Sequence, residues 1–592
     1  MRDSDNTQAP SRRHFLVHTT STAAALAVSG TLVACGDGSP EPAEFKYGVA
    51  SGDPLATSVI LWTHAKVAGS TRSVGLTWQL ASDNNFAAPL KSGRVEATEA
   101  SDFTAKVDVT GLSAGSSYFY RFVDDAGVAS TVGSTRTLPA SAATSVKLAV
   151  FSCALYSEGY FNTYDAAAKS DAQYAIHLGD YIYEYGSDPA KFGNTDAVAL
   201  GRVTSPANDI VSLSDYRTRF ALYRADPNLQ ALHAKMPMIA VWDDHEFTNN
   251  AYVGGAENHN PTTQGDWTTR KNNAARAYHE WMPIRTPDTS NLLKIYRRFD
   301  FGNLLALHML DTRIEGRDQQ YDNFGDADGG LGRYIAGMTP NASGVLPDAS
   351  RKMVSSTQQS WLASGMAAST ATWQFLGNQD IMARMWFPAS VLQAQAAAAS
   401  NPAAVPTAIS AYLTAKATRA AGAPLTATQT ALLSASTNPR LPYNLDSWDG
   451  YPVQRETILQ TAKAQGKKLV ALSGDSHNAW CAHLTTLAGD KVGVEFATSS
   501  VTAPGFESVG LGALASSLDG SALGATAVGA GLGLVDDLLY TDTIRRGYLL
   551  VTVTAAAVKG EFVFMSTVKS TTYSASVGKT ITVATSGAVA FA

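Results

Sequence analysis

Four short runs place acids, imidazoles, a thiol and a phenol directly after apolar stretches that read as buried strands. They are Phe151-Ser152-Cys153, Gly179-Asp180-Tyr181-Ile182-Tyr183, Trp242-Asp243-Asp244-His245-Glu246 and Gly474-Asp475-Ser476-His477. Residues at the ends of parallel strands converge on one edge of a sheet, so runs far apart in sequence can meet in one pocket. Such a collection suits a two-metal hydrolase, in which paired cations activate water and clamp the oxygens of the reacting group.

Each run carries its own chemistry. Asp180 follows Gly179, which permits a tight turn, and its two oxygens could bridge two cations; Gly-Asp after a strand also makes an ordinary turn. Tyr183, as a phenolate, would be a hard anionic ligand that favours trivalent iron. Asp243 to Glu246 set three acids and an imidazole in four consecutive positions, which repel one another unless cations or donors neutralise them. Adjacent side chains cannot all face one centre, so Asp244 is assigned to a metal and His245 to supporting or phosphoryl-contacting work. Asn249 and Asn250 could add a carbonyl oxygen or cap the loop. Asp475 and His477 alternate along an extended segment and so point the same way, unless Asp475 caps a helix. Cys153 is either a small buried hydrophobe or a metal-bound thiolate.

The elements that must position these residues fall into two patterns. Over residues 45–138, short β-rich runs such as Val59-Ile60-Leu61-Trp62-Thr63 and Tyr118-Phe119-Tyr120-Arg121-Phe122 alternate with turn residues, predicting a fibronectin-like β-sandwich. From residue 146 to 592, strands such as Lys147 to Phe151, Tyr174 to Leu178, Met238 to Trp242 and Leu469 to Leu472 alternate with amphipathic stretches, including Tyr160 to Lys169 and Tyr216 to Leu232. That alternation predicts an α/β layered core. Residues 390–436, rich in Ala, Ser and Thr, read as a helical surface insertion or a lid.

Residues 1–35 read as an address. Ser11-Arg12-Arg13-His14-Phe15-Leu16 matches the twin-arginine export pattern, an apolar stretch from Ala23 to Ala34 follows, and Leu32-Val33-Ala34-Cys35 resembles the lipobox of bacterial lipoproteins. Either Cys35 is acylated or cleavage occurs near Ala34 without a lipid. A formal charge of -6 over 592 residues gives no broad basic field, so nucleic acid is not expected as a structural partner. Of the three cysteines, only Cys153 and Cys481 could pair if Cys35 is lipidated, which excludes a disulfide-stapled scaffold.

Taken together, the four runs resemble the PhoD-type alkaline phosphatase family. The likeness extends to Val49-Ala50-Ser51-Gly52-Asp53-Pro54, Leu310-Asp311-Thr312-Arg313 and Trp448-Asp449-Gly450-Tyr451-Pro452. It implies a four-layer metallophosphoesterase β-sandwich flanked by helices, behind the small β-sandwich, with Fe3+ and Ca2+ in the active site. Carried over by motif, Cys153, Asp180, Tyr183 and His477 would hold iron; Asp180, Asp244 and Asp475 would hold calcium, with Asp180 bridging. Purple acid phosphatases resemble this arrangement but use His and Asn where Asp475 and Asp244 stand, and carboxylates favour the harder calcium. Arg270, in Thr268-Thr269-Arg270-Lys271, is a phosphate clamp by motif position or a surface guanidinium.

The expected reaction is hydrolysis of phosphate monoesters by a metal-bound hydroxide, with His245 contacting the phosphoryl group or protonating the leaving oxygen. A phosphodiesterase or phospholipase D-like enzyme on the same core is the nearest alternative. A non-catalytic surface binding protein is a third reading, which the intact ligand positions oppose. The expected partners are small phosphate esters, the twin-arginine machinery and, through a lipid on Cys35, a membrane surface; the location is periplasmic, cell-surface or extracellular.

Overall fold

The computed structural model describes residues 40–141, 143–321, 350–398, 400–509, 512–524 and 530–592. The twin-arginine run and the lipobox with Cys35 lie outside the described residues.

Two large sheets organise the chain, one of ten strands and one of seven. At the centre of the first, Ser145–Phe151, Tyr174–His177 and Met238–Ala240 run parallel, with Phe151 and Ala240 both in register with His177. The second sheet runs Leu305–Met309, Trp373–Gly377, Leu469–Ser473 and Lys491–Ala497 in parallel, with Met309 opposite Gly377, Gly377 opposite Leu472 and Ser473 opposite Ala497. These registers bring the carboxyl ends of seven strands to two common edges. All residues of the three central strands from Val146 onward are buried or nearly so, as strands covered on both faces must be.

One core lies between the sheets: Val150, Ile176 and Val551 from the first join Leu305, Leu307, Val470 and Phe496 from the second. The backbone at Gly560 permits this approach, since a Cβ there would lie 2.6 Å from the Phe496 ring. Alternation along each strand sends Leu376, Ala471 and Leu469 to the opposite face, where they pack with Leu362, Ile458 and Leu459 of the helices Ser356–Ala368 and Pro452–Ala464. Tyr216, Phe220, Leu229 and Ala274 of three helices join the first core. The stretch read as one amphipathic run from Tyr216 to Leu232 is two helices, Leu213–Arg224 and Pro227–Lys235. Asp226 caps the second by accepting from Asn228 N and Leu229 N, and Pro227 fixes its first turn.

The N-terminal strands were expected to stand apart, and one group does not. Lys91–Ala97, Val74–Ala81, Ser117–Asp124 and Gly133–Arg136 form a separate four-stranded sheet. Val49–Gly52, Ser58–His64 and Thr104–Thr110 instead extend the ten-stranded sheet, joined to Met238–Ala240 at Gly52 opposite Met238. Only glycine allows the join, because a Cβ at Gly52 would lie 2.2 Å from Pro283 O and 2.5 Å from Met238 O. Asp53, buried beside it, takes both arms of Arg297 at 2.7 and 2.8 Å. The Ser51-Gly52-Asp53-Pro54 run is thus an anchor between the two parts.

The insertion forms the helices Ala389–Ala396, Ala404–Ala420 and Ala427–Leu433, its ends drawn together where Trp386–Pro388 pairs with Arg440–Pro442. It is more than a surface excursion: Val391, Leu392, Ile409 and Leu413 are part of the core behind the second sheet.

Candidate metal centre

The four runs meet where the two sheets present their carboxyl edges. Cys153, Asp180 and His477 offer ligand atoms within 4.8 Å of one another; so do Asp180, Asp244 and His245, and again Asp243, Asp244 and Asp475. Tyr183 joins the first group, its hydroxyl 3.0 Å from Asp180 Oδ2 and 3.2 Å from His477 Nε2. The six expected ligands are therefore together. Four follow strands of the first sheet, while Asp475 and His477 follow a strand of the second, so the pocket is made by two sheet edges and not by one.

The backbone at this junction is strained. Cys153, Asp180, Asp475 and His477 all have positive φ, between 54° and 61°, a region that costs non-glycine residues energy and that clusters at functional sites. Tight approach explains part of it: a Cβ at Gly179 would lie 2.3 Å from Asp243 Cβ, and one at Gly474 would lie 2.1 Å from Ser152 Oγ. Glu246 ties the loops together by accepting from Asp180 N, Tyr181 N and Asp243 N at 3.0, 2.5 and 2.7 Å.

Neighbouring acids are sorted by their partners. Asp243 Oδ1 accepts from Arg313 Nε at 2.6 Å, while Asp244 accepts from His245 N and Asn250 N and faces the pocket. Arg313 is fully buried and also contacts Asp446 at 2.8 Å, Asp475 at 2.9 Å and Asp380 at 3.0 Å. Asn249 and Asn250 place their amide side chains on Glu257. His477 Nδ1 donates to Pro504 O at 2.7 Å, which leaves the Nε2 lone pair toward Asp180 and Tyr183. Burial holds its pKa down at about 4, so the ring is neutral and can act as a ligand.

His245 is held differently. Its Nδ1 lies 2.6 Å from Glu184 Oε2, and its ring stacks on Tyr183 with centroids 4.1 Å apart. Glu184 Oε1 also accepts from Thr248 Oγ1 and Asn249 N. Burial opposes protonation of His245, but the carboxylates of Asp244, Glu184 and Asp180 raise its pKa well above the ordinary value.

The donor set is short of positive charge. Burial, and after it the charges of Asp244, Glu246 and Asp475, raise Asp180 well above the carboxylate range despite His245. Burial and Asp180 likewise raise the Cys153 thiol and the Tyr183 phenol. Carboxylates, a thiol, a phenol and a neutral imidazole, converging and undercompensated, fit cations.

Arg270 does not join them. It lies within the helix Trp267–Trp281, 1% exposed, and each guanidinium nitrogen is engaged: Nε with Tyr216 Oη, one terminal nitrogen with Asn258 O and Gln264 Oε1, the other with Ile210 O. The expected phosphate clamp is instead a brace for the loops before the helix. Glu184, Glu246 and Arg313 were not assigned roles from the sequence, although each sits inside or beside a quoted run. Cys153 and Cys481 are both free and buried.

Comparison with known proteins gives the family. Residues 148–562 match the PhoD-like phosphatase family and residues 31–139 match the PhoD-like phosphatase N-terminal domain. The chain is 32% identical over 478 residues to alkaline phosphatase D of Bacillus subtilis strain 168, covering 78% of this chain and 70% of that protein. A solved structure of PhoD superposes with a TM-score of 0.70 at 28% identity, covering 92% of both chains.

Proposed function

This chain belongs to the PhoD-like phosphatase family and is a phosphatase; we propose that it is a metal-dependent one that hydrolyses phosphate monoesters at the junction of the two sheets. The observation that carries the reading is the position of Asp180, whose carboxylate belongs to two of the donor groups at once. Cys153, Asp180, Tyr183 and His477 would hold the first cation, Fe3+, since a thiolate and a phenolate suit a trivalent ion. Asp180, Asp244 and Asp475 would hold the second, Ca2+, through carboxylate oxygens alone. Cations bound there would lower the pKa of a water and offset negative charge on the phosphoryl oxygens.

The chain's own side chains do the rest. His245, fixed by Glu184 at Nδ1, keeps Nε2 as the nitrogen that can give a proton to the leaving oxygen. Arg313 draws Asp243 back into the wall and, by taking Asp475 Oδ1, orients that carboxylate so that its other oxygen would be left for a cation. Water is the nucleophile in this reading, and no covalent enzyme intermediate forms.

The protein would be exported by the twin-arginine route, on the strength of Arg12-Arg13, and anchored through a lipid on Cys35. No helix among the described residues is long and apolar enough to cross a membrane. Its partners would be small phosphate esters and the export machinery. The deciding experiment is elemental analysis of purified protein together with phosphate release from a monoester and a diester panel. Iron and calcium with preferred monoester turnover support the reading; a metal-free active enzyme contradicts it.

A further inference from the structure

Beside the metal centre, a cavity of about 310 Å³ opens against Asp475 and Ser476. Its walls are Ile381, Met385, Phe387, Tyr443, Trp480 and Phe506. The aromatic side chains form a chain: Phe387 stacks on Tyr443 at 5.1 Å, and Phe506 meets both Tyr443 and Trp480 edge to face at 5.7 Å. Trp480 Nε1 donates to Ser476 Oγ at 2.7 Å, which couples this wall to the strand end that carries Asp475 and His477. Gln395, on the insertion helix Ala389–Ala396, closes another side.

The cavity is partly open to solvent, as a cleft that admits a substrate group must be. Its volume and its lining, apolar and aromatic with a few polar groups, are those of a small-molecule site. Apart from Asp475, the lining among the described residues holds no charged side chain, and its polar groups are two serines, an asparagine and a glutamine besides the Tyr443 hydroxyl. A polyol would gain little from the aromatic and aliphatic wall, whereas an apolar group buries its surface against it. A second phosphate would meet no cation among the described lining residues.

We propose that this cavity is the subsite for the organic group of the phosphate ester, and that it selects an apolar group, aromatic or branched aliphatic. The proposal rests on the phosphatase centre described above, because contact with Asp475 is what places an ester's organic part in the cavity. It also gives the insertion a role, as the element that supplies one wall.

The test compares 2-phenylethyl phosphate with ethyl phosphate on the metal-loaded full-length enzyme. Both have primary alcohol leaving groups, so the comparison isolates apolar bulk from leaving-group reactivity. Wild-type kcat/KM should favour 2-phenylethyl phosphate by at least about tenfold, the order expected for burying a phenyl ring. Gln395→Trp, which fills the cavity from a surface helix, and Phe506→Ala, which removes one wall, should each cut that preference several-fold, chiefly through KM. Equal wild-type rates on the two esters, or a preference that survives both variants, would overturn the proposal while leaving the phosphatase centre standing. No turnover of either ester by metal-loaded wild-type enzyme would overturn the centre and the subsite together.

Discussion

His245 Nδ1 and Glu184 Oε2 lie 2.6 Å apart, both buried, in a pair that fixes the ring orientation and favours its protonated form. Glu184→Gln keeps the shape and removes the charge, so the His245 pKa falls. If His245 donates the proton, activity is lost as pH rises through its pKa, and the alkaline limb of the pH–rate profile should move to lower pH in the variant. Turnover at alkaline pH should drop at least about tenfold, within the range for a general acid. A limb that stays in place would remove His245 from that role.

Colour reports the first cation. With Tyr183 and Cys153 both on ferric iron, the purified enzyme should absorb in the visible through ligand-to-metal charge transfer. Tyr183→Phe should shift or bleach the band, and Cys153→Ser should alter it while the circular dichroism spectrum stays native. A colourless, iron-free and fully active enzyme would mean that the metal is a different one.

Arg313 compensates four carboxylates in the wall behind the centre. Arg313→Met should lower unfolding free energy by about 3–5 kcal/mol in denaturant titrations, because it strands buried charges. Arg313→Lys should recover little of this, since an ammonium cannot reach several carboxylates as a planar fork does. A loss under about 1 kcal/mol for Arg313→Met would show that those carboxylates are neutralised in another way.

Export and lipidation are separable. Arg12→Lys with Arg13→Lys should retain the protein in the cytoplasm, and Cys35→Ala should abolish acyl labelling and release protein to the soluble fraction. An unmodified mature N-terminus elsewhere, found by intact mass, would contradict the lipid anchor.

The positions of the proposed ligands were legible because each run follows an apolar stretch, and parallel strands in register deliver their ends to a common edge of each sheet. The sorting of adjacent acids was legible only as a constraint: Asp243 and Asp244 could not face the same way, but the partner that takes Asp243 is Arg313, seventy residues on. A separation of sixty-one residues hid Glu184 behind His245, and the three amides that Glu246 accepts from carry no sequence signal. Arg270 misled because an Arg near a helix start looks alike whether it turns outward to an anion or inward to loop carbonyls. The join at Gly52 was hidden for a similar reason, since an edge strand's sequence does not name the sheet it extends.

Asp180 is the only proposed ligand common to both cations, so metal content of Asp180→Asn tests the account most directly. The substitution keeps the shape but removes a charge and one anionic oxygen, and at least one of the two metals should be lost, with activity. His245→Ala, measured alongside, should keep both metals and lose about a hundredfold to ten-thousandfold in turnover, more on an alkyl than on an aryl phosphate. An Asp180→Asn protein that retains two metals and near-normal activity, or a His245→Ala protein that loses metal, would contradict the assignment.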